Sequence, residues 1–476
     1  MINKIGHMDD FLVEYERVLE RALSYGATNV PLTGFRDRGI NWKPPKKFIP
    51  ACHRGWEKVQ NRIIDLLQQI SCDKSLDKEE KVYRQLLLRK IVDTMANTML
   101  GGKTYVLRRI AIHGAIPPID LKVIKETQRI ANRDNHESRL TFSLIADLTT
   151  FVHVCDLLKI DFRQGHRGLS LIELKDGRVN EILLSQMERY PLEDESLDRL
   201  KDDNNIRPNH KQQATRILRQ KIRLDQVHTI LRDDKGIDPE IKMPIAVVGD
   251  AKGNSIEEEN YGQFLAELIE SSKKEKCGVS SGMINCCLHL GVGYSSDTNV
   301  ARRKAIYAAS YSMKKQLKNP MMEFTEIRNR LLTLVTEKDM VIAGNLFEVN
   351  LHSLPVIPFL LWPIPRHSLF DLMKRSLVVM FIFDLPGFFL MGKQLGVDLE
   401  LSTRSEADSI KKRIGVHNVV TFGNRMVTYA VGDQSVKLAS LIPRFFTNLS
   451  RPAQFLSLCA KRSTINRSTN PRHAGI

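Results

Sequence analysis

The sequence predicts a mixed α/β protein, α+β overall, of more than one domain. Three observations carry this. The first hundred residues repeat apolar side chains at helical spacing, as in Trp56, Val59, Ile63, Leu66 and Leu67, then Leu86, Leu87, Ile91 and Met95. From about residue 140 short apolar runs appear between turn residues, as strands do. Beyond residue 300 helix-like and strand-like stretches alternate. A chain of 476 residues exceeds what one ordinary core organises.

The expected organisation is a helical region over 1–100, a central α/β domain over 101–295, an α+β domain of unassigned role over 296–460, and a basic flexible tail over 461–476. Gly34–Pro50, rich in Pro and Gly, reads as a loop between helices. In the central region Phe142–Ile145, Phe151–Ile160 and Leu169–Lys175 read as strands. A basic helix follows over about 210–232, then a buried strand at Ile245–Val248, an amphipathic helix over 257–276 and a strand at Met283–Val292. Pro355–Pro365 reads as a connector. The tail is expected to be mobile because its composition turns to Ser, Thr, Asn, Arg and Pro.

Bulk properties narrow the function. Hydrophobic residues make up 42% of the chain, enough to set intrinsic disorder aside for most of its length. A formal net charge of +16 favours a polyanionic partner, nucleic acid or an anionic membrane surface. The most apolar stretch, Ser376–Met391, is shorter than a bilayer span and is broken by Asp384 and Pro386, so no membrane partner is expected. Seven cysteines lack both C-x-x-C spacing and zinc-ligand patterns, which reads as reduced thiols in a cytoplasmic protein.

Chemistry concentrates in two neighbouring segments. Phe151-Val-His-Val-Cys-Asp156-Leu-Leu-Lys-Ile160 and Leu169-Ser-Leu-Ile-Glu173-Leu-Lys175 each place a carboxylate inside an apolar strand, where a charge needs a cation or hydrogen-bond donors. A hairpin turn centred on Gln164–Gly165 sets residue 156 opposite residue 173, although Gln-Gly is a weak turn and a two-residue slip stays open. Cross-strand Cβ atoms are roughly 4.5–5.5 Å apart, close enough for two carboxylates to share a divalent ion. Lys175 falls on the same strand face as Glu173. Two hard oxygen ligands beside an ammonium suit phosphodiester hydrolysis.

Asp156, a spacer and then Glu173-Leu-Lys175 resemble the PD-(D/E)XK, or restriction-endonuclease-like, nuclease superfamily. The block Asp147-Leu-Thr-Thr-Phe-Val-His-Val-Cys-Asp156 and Glu173-Leu-Lys-Asp-Gly-Arg-Val-Asn180 is similar to its divergent bacterial members. The resemblance covers residues 140–250. It implies an α-β-β-β-α-β core and Mg²⁺- or Mn²⁺-dependent cleavage of DNA, less often RNA, in defence against foreign DNA. It makes Asp156 and Glu173 metal ligands, joined by the Leu174 carbonyl, with Lys175 the catalytic lysine. Cys155 stands where the family name has Pro. Glu-x-Lys alone is weak, since Glu79/Lys81 and Glu240/Lys242 share the spacing; the strand context separates Glu173.

The basic helix adds a candidate nucleic-acid surface. Ala214, Ile217, Leu218, Leu224 and Val227 define its core stripe. Gln213 and Gln220 flank the stripe and can face the site, while Arg216, Arg219 and Arg223 project on the far side. Six basic residues and no acid lie between Arg207 and Arg223, a pattern that suits phosphate contacts and equally an ordinary solvated face. The main alternative is a non-catalytic nucleic-acid-binding or regulatory protein with the same fold, and a protein partner or homodimer stays open. Gly278-Val-Ser280-Ser-Gly282 matches a nucleophile-elbow pattern in the wrong context and reads as a loop. Gly101-Gly-Lys-Thr104 lacks the earlier glycine of a phosphate loop. Glu257–Glu259 reads as a charge cluster at a helix start. Asp384 is either a buried functional acid or the start of a turn.

Overall fold

The computed structural model describes residues 7–23, 48–102, 110, 116–164, 168–174, 178–203, 206–233, 235–237, 244–246, 260–314, 335–336, 341–352, 358–414, 420–431, 434–438, 442 and 444–469. The chain divides into two compact units, one of Met1–Ile112 with Ile116–Ser255, the other of His113–Ala115 with Ile256–Ile476. The main division therefore falls near residue 255 rather than 295. The N-terminal helices share a unit with the strands that follow them.

In the first unit, helices α1 (Met8–Leu23), α2 (Phe48–Cys72) and α3 (Lys78–Met99) pack on one another. Helix α1 buries Phe11, Tyr15, Val18, Leu19 and Ala22, one face at helical spacing. Helix α3 starts where Asp77 accepts a hydrogen bond from Glu80 N–H at 2.7 Å. It ends at Gly101 and Gly102, whose φ values of 69° and 67° lie in the left-handed region that stops a helix. These glycines are thus a helix stop; Lys103 and Thr104 lie outside the described residues.

Helix α4 (Leu121–Glu137) is capped by Asp120, and α2 and α4 both pack on β1 (Thr141–Ile145). Strand β1 is buried along its whole length. It opens an antiparallel meander, β1-β2-β3, with β2 at Leu157–Asp161 and β3 at Gly168–Ile172. Next come α5 (Arg178–Met187), α6 (Glu195–Asp202) and α7 (Lys211–Asp233), which close around Leu183, Met187, Leu200, Ile206, Ala214, Ile217, Leu218 and Ile222. Strands β4 (Lys235–Ile237) and β5 (Pro244–Ala246) pair with each other in a sheet of their own. The order of elements from α4 is thus one helix, three strands, three helices and two strands, and the last two strands stand apart from the β1-β2-β3 sheet instead of supplying the single final strand of the expected α-β-β-β-α-β core.

The second unit is also mixed helix and sheet. Helix α8 (Gly262–Lys274) precedes a hairpin of β6 (Val279–Ile284) and β7 (Leu288–Tyr294). The single strand expected at 283–292 is thus two strands, because Asn285 and Cys286 adopt φ of 49° and 59° and turn the chain. After α9 (Thr298–Lys314), strands β8 (Val335–Thr336) and β9 (Val341–Asn345), helices α10 (Leu346–His352) and α11 (Arg366–Met373), and β10 (Leu377–Asp384) complete an antiparallel sheet ordered β6-β7-β10-β9-β8. Central β10 is buried over Leu377–Phe383.

Asp384 is the N-cap of α12 (Leu385–Gln394), accepting from Gly387 N–H at 3.1 Å. The apolar run 376–391 is therefore a strand, a cap and a helix. Among the described residues no helix is long and apolar enough to cross a membrane. A second small sheet joins β11 (Leu399–Leu401), β12 (Val427–Val431) and β13 (Gln434–Lys437), with α13 (Arg404–Ile414) between its first two strands. Helix α14 (Pro452–Thr469) runs into the segment expected to be a tail.

Candidate functional site

The register of β2 against β3 pairs Leu157 with Ile172 and Asp161 with Gly168. The pairing stops there, with Asp156 and Glu173 each one residue beyond it; residues 165–167, and with them the expected turn on Gln164–Gly165, lie outside the described residues. One expectation is corrected. The carboxylates are not inside strands, since β2 begins at Leu157 and β3 ends at Ile172. Phe151, Val152, Val154 and Cys155 are buried as irregular chain, which is why the sequence reads as strand there.

Local hydrogen bonding explains how two half-buried acids sit at this open end of the hairpin. Ala146 N–H donates to the Asp156 carbonyl at 2.9 Å, continuing the β1–β2 ladder by one residue. On the other side Asp156 N–H donates to the Ile172 carbonyl at 2.9 Å, one residue out of step with the β2–β3 register. Such a bulge-like step re-aims a side chain. The Asp156 carboxylate then accepts Leu174 N–H at 2.5 Å through Oδ2. A charge-assisted bond to a backbone donor offsets part of the cost of removing the carboxylate from water.

Glu173 is fixed from the other direction. Gln220 of α7 donates through Nε2 to Glu173 Oε1 at 3.0 Å, and α7 is held on β3 by His228, whose Nε2 accepts Leu171 N–H at 3.2 Å. Burial holds the His228 imidazole below its ordinary pKa, which suits its role as an acceptor. The i,i+7 pair of glutamines is divided: Gln220 reaches the acid, whereas Gln213 is exposed. Arg216 and Arg219 are exposed, as expected of a surface that meets solvent, but Arg223 is half-buried and does not project freely. In the core stripe Ile222 is fully packed and Leu224 only half. Lys175 lies outside the described residues.

Sequence reasoning missed the support beneath this corner. Arg89 of α3 donates to the carbonyls of Thr149 (3.1 Å), Pro117 (2.6 Å) and Asp147 (3.4 Å). Burial lowers the Arg89 guanidinium to about 10. Lys90 and Asp93 pair at 3.3 Å, both fully buried, and Asp93 accepts Thr150 N–H at 2.6 Å and Thr150 Oγ1–H at 2.5 Å. Residues 147–150 are thus gripped by charged groups from one helix. Asp147 is exposed as a whole residue. Partial desolvation still raises its carboxyl; Arg89 opposes that, and the charges of Glu173 and Asp120 add to it. Burial also pushes the Cys155 thiol up, with Asp156, Glu173 and Asp147 acting in the same direction. The available signal was the polar Asp147-Leu-Thr-Thr150 run directly after a buried strand.

The pair Asp156 and Glu173 offers hard oxygen donors. Among the described residues no group of three or more His, Cys, Asp or Glu side chains is placed to hold a metal ion. All seven cysteines are free thiols. The elbow-like pattern is corrected from loop to strand: Ser280 lies in β6 and its hydroxyl donates to the Leu268 carbonyl at 2.6 Å. Glu257–Glu259 lies outside the described residues. No family model, curated protein or solved structure matches the chain.

Proposed function

We propose that the chain is a divalent-metal-dependent nuclease of the PD-(D/E)XK type, acting on DNA in preference to RNA. The observation that supports the reading is that Asp156 and Glu173 lie just beyond the outermost β2–β3 pair, Leu157 with Ile172, each carboxylate bonded to its own hydrogen-bond donor. Two fixed carboxylates suit Mg²⁺ or Mn²⁺, because Mg²⁺ is ordinarily held by one or two carboxylates with water and phosphate oxygens filling the other positions. Asp156 and Glu173 would hold the ion, with the Leu174 carbonyl beside them.

Bound there, the ion supplies Lewis acidity toward the phosphate and a more acidic water. The remaining work belongs to the chain. Leu174 N–H fixes the Asp156 carboxylate, and Gln220 fixes that of Glu173. Lys175, two residues on from Glu173, supplies the ammonium that orients the attacking water or stabilises charge on the phosphate. Arg216 and Arg219 give sequence-independent contact to the backbone. A role in defence against foreign DNA follows from the resemblance alone.

Plasmid, linear duplex and single-stranded DNA incubated with Mg²⁺ or with EDTA test the reading, using wild type, Asp156→Ala and Lys175→Ala. Metal-dependent cleavage is expected in wild type. Each variant should fall on the order of a hundredfold or more, the scale of losing one preorganised charge-stabilising group. Cleavage that survives both substitutions ends the proposal. Binding without metal-stimulated cleavage by wild type selects the non-catalytic alternative.

A further inference from the structure

Strand β3 is an outer strand of the β1-β2-β3 meander, so backbone groups that turn away from β2 need partners elsewhere. Leu171 is buried, and its N–H is not left to water. It donates to Nε2 of His228, on α7, at 3.2 Å. An imidazole thus stands where the carbonyl of a fourth strand would stand. A buried N–H that loses its acceptor carries the cost of its own desolvation, which exceeds the net worth of an ordinary hydrogen bond.

Only the neutral ring can do this. Nε2 accepts when the hydrogen sits on Nδ1, whereas the imidazolium carries N–H on both nitrogens and accepts nothing. Protonation therefore turns a bond into two donors facing each other. Earlier on the same helix, about 12 Å along its axis, Gln220 donates to Glu173 at 3.0 Å. Helix α7 is in this way fastened to β3, and to the acid that follows β3, by two side chains. One of the two fastenings is undone by a proton.

The surroundings of His228 set the direction of the response. Burial holds the imidazole below its ordinary value, Asp225 opposes that, and Arg232 adds to it; both charges lie on α7 itself. Strand β3 brings no ionisable side chain, and β4, which also packs on α7, brings only Lys235, which is exposed. Helices α5 and α6 share their core with α7 over Ala214–Ile222, ahead of His228. With the folded value depressed, the bond is complete at neutral pH and is lost as pH falls below the ordinary histidine range. We propose that His228 is a positioning residue through which protons regulate the Asp156 and Glu173 site. Its neutral ring seats α7 on β3 so that Gln220 reaches Glu173, and protonation loosens the helix and withdraws that bond. The regulatory consequence, weaker cation binding in mild acid, rests on the nuclease reading above; the seating of α7 does not.

The test follows two metal-free signals of the full chain between about pH 7.5 and about pH 5. One is the protection of the Leu171 amide against hydrogen exchange, taken relative to the intrinsic rate at each pH. The other is the side-chain amide resonance of Gln220. In wild type Leu171 protection should fall roughly tenfold or more on acidification, the scale of a buried donor losing its acceptor, and the Gln220 signal should move over the same range. His228→Gln keeps an acceptor that does not titrate and should hold both signals level. His228→Leu removes the acceptor and should show the low protection at every pH. Mn²⁺ uptake, measured in parallel, should weaken more steeply with acid in wild type than in His228→Gln. Overturning results are Leu171 protection in wild type that ignores pH, a Gln220 signal that does not follow it, or the same pH dependence of Mn²⁺ uptake in wild type and His228→Gln. A wild type that takes up no Mn²⁺ at any pH, with both metal-free signals as expected, would end the nuclease reading and the regulatory consequence while the positioning of Glu173 stands.

Discussion

At equal depth the two units are filled differently. In the first, Lys90 and Asp93 are completely buried and bound to Thr150, beside an Arg89 that grips three backbone carbonyls. In the second, Phe381 stacks on Phe446 with centroids 4.0 Å apart, and Phe383 packs against Phe388 and Phe445 at 5.3 and 5.6 Å. Buried ion pairs stabilise little over apolar packing, but their directional bonds are costly to break. The difference teaches where precision is kept. The unit that holds Asp156 and Glu173 fixes the adjoining loop with directional charge, whereas the second unit relies on shape.

The contrast is most exposed to challenge at Asp93. Removing one partner leaves a buried charge uncompensated, so Asp93→Ala should cost the first unit about 3–5 kcal/mol. The double change Lys90→Met with Asp93→Leu should cost clearly less. Hydrogen exchange read by segment reports each unit separately; a single change no more costly than the double would mean that the pair is not ionic.

Acid should act on both units alike. Burial lowers His53 in the first unit and His289 in the second to about 4 from the ordinary 6.5. With the folded value depressed, the unfolded chain binds more protons between these limits. Stability is therefore complete above pH 6.5 and is lost as pH falls toward 4. The linkage amounts to about 3 kcal/mol per histidine once both states are protonated. Melting temperature against pH checks it: His53→Gln and His289→Gln should each flatten the profile, and an unchanged slope in either would remove that histidine from the account.

Shape dependence in the second unit is sharpened by Gly291→Ala. The added methyl meets the backbone of α9 rather than a movable side chain, so a loss of about 2 kcal/mol is expected from overpacking. Exchange protection in β7 and α9 that stays at wild-type level would show the contact to be looser than described. The smallest effect is common to the units: Asp77→Ala and Asp384→Ala each remove an N-cap and should cost about 1 kcal/mol. Denaturant midpoints for the two variants test whether both caps count equally.

Much of the site corner was legible because strand pairing has a strict period. The turn expected at Gln164–Gly165, with a two-residue slip left open, agrees with the observed 157–172 register, and i,i+7 spacing brought out Gln220. What stayed hidden has specific causes. Phe151, Val152, Val154 and Cys155 are buried without being strand, so the strand ends were misplaced. Arg89, Lys90 and Asp93 sit among the apolar positions of α3, where charge ordinarily signals a solvated face. The β6–β7 turn uses Asn285 and Cys286 instead of glycine, and one strand was read where there are two.

Electron paramagnetic resonance titration with Mn²⁺ addresses the proposed shared cation directly, without reference to any substrate. Wild type should take up Mn²⁺ in competition with Mg²⁺, and Asp156→Ala or Glu173→Gln should weaken that uptake roughly tenfold or more, with Gln220→Ala giving a smaller loss through its orienting bond. Identical Mn²⁺ isotherms for wild type and both carboxylate variants would contradict the account.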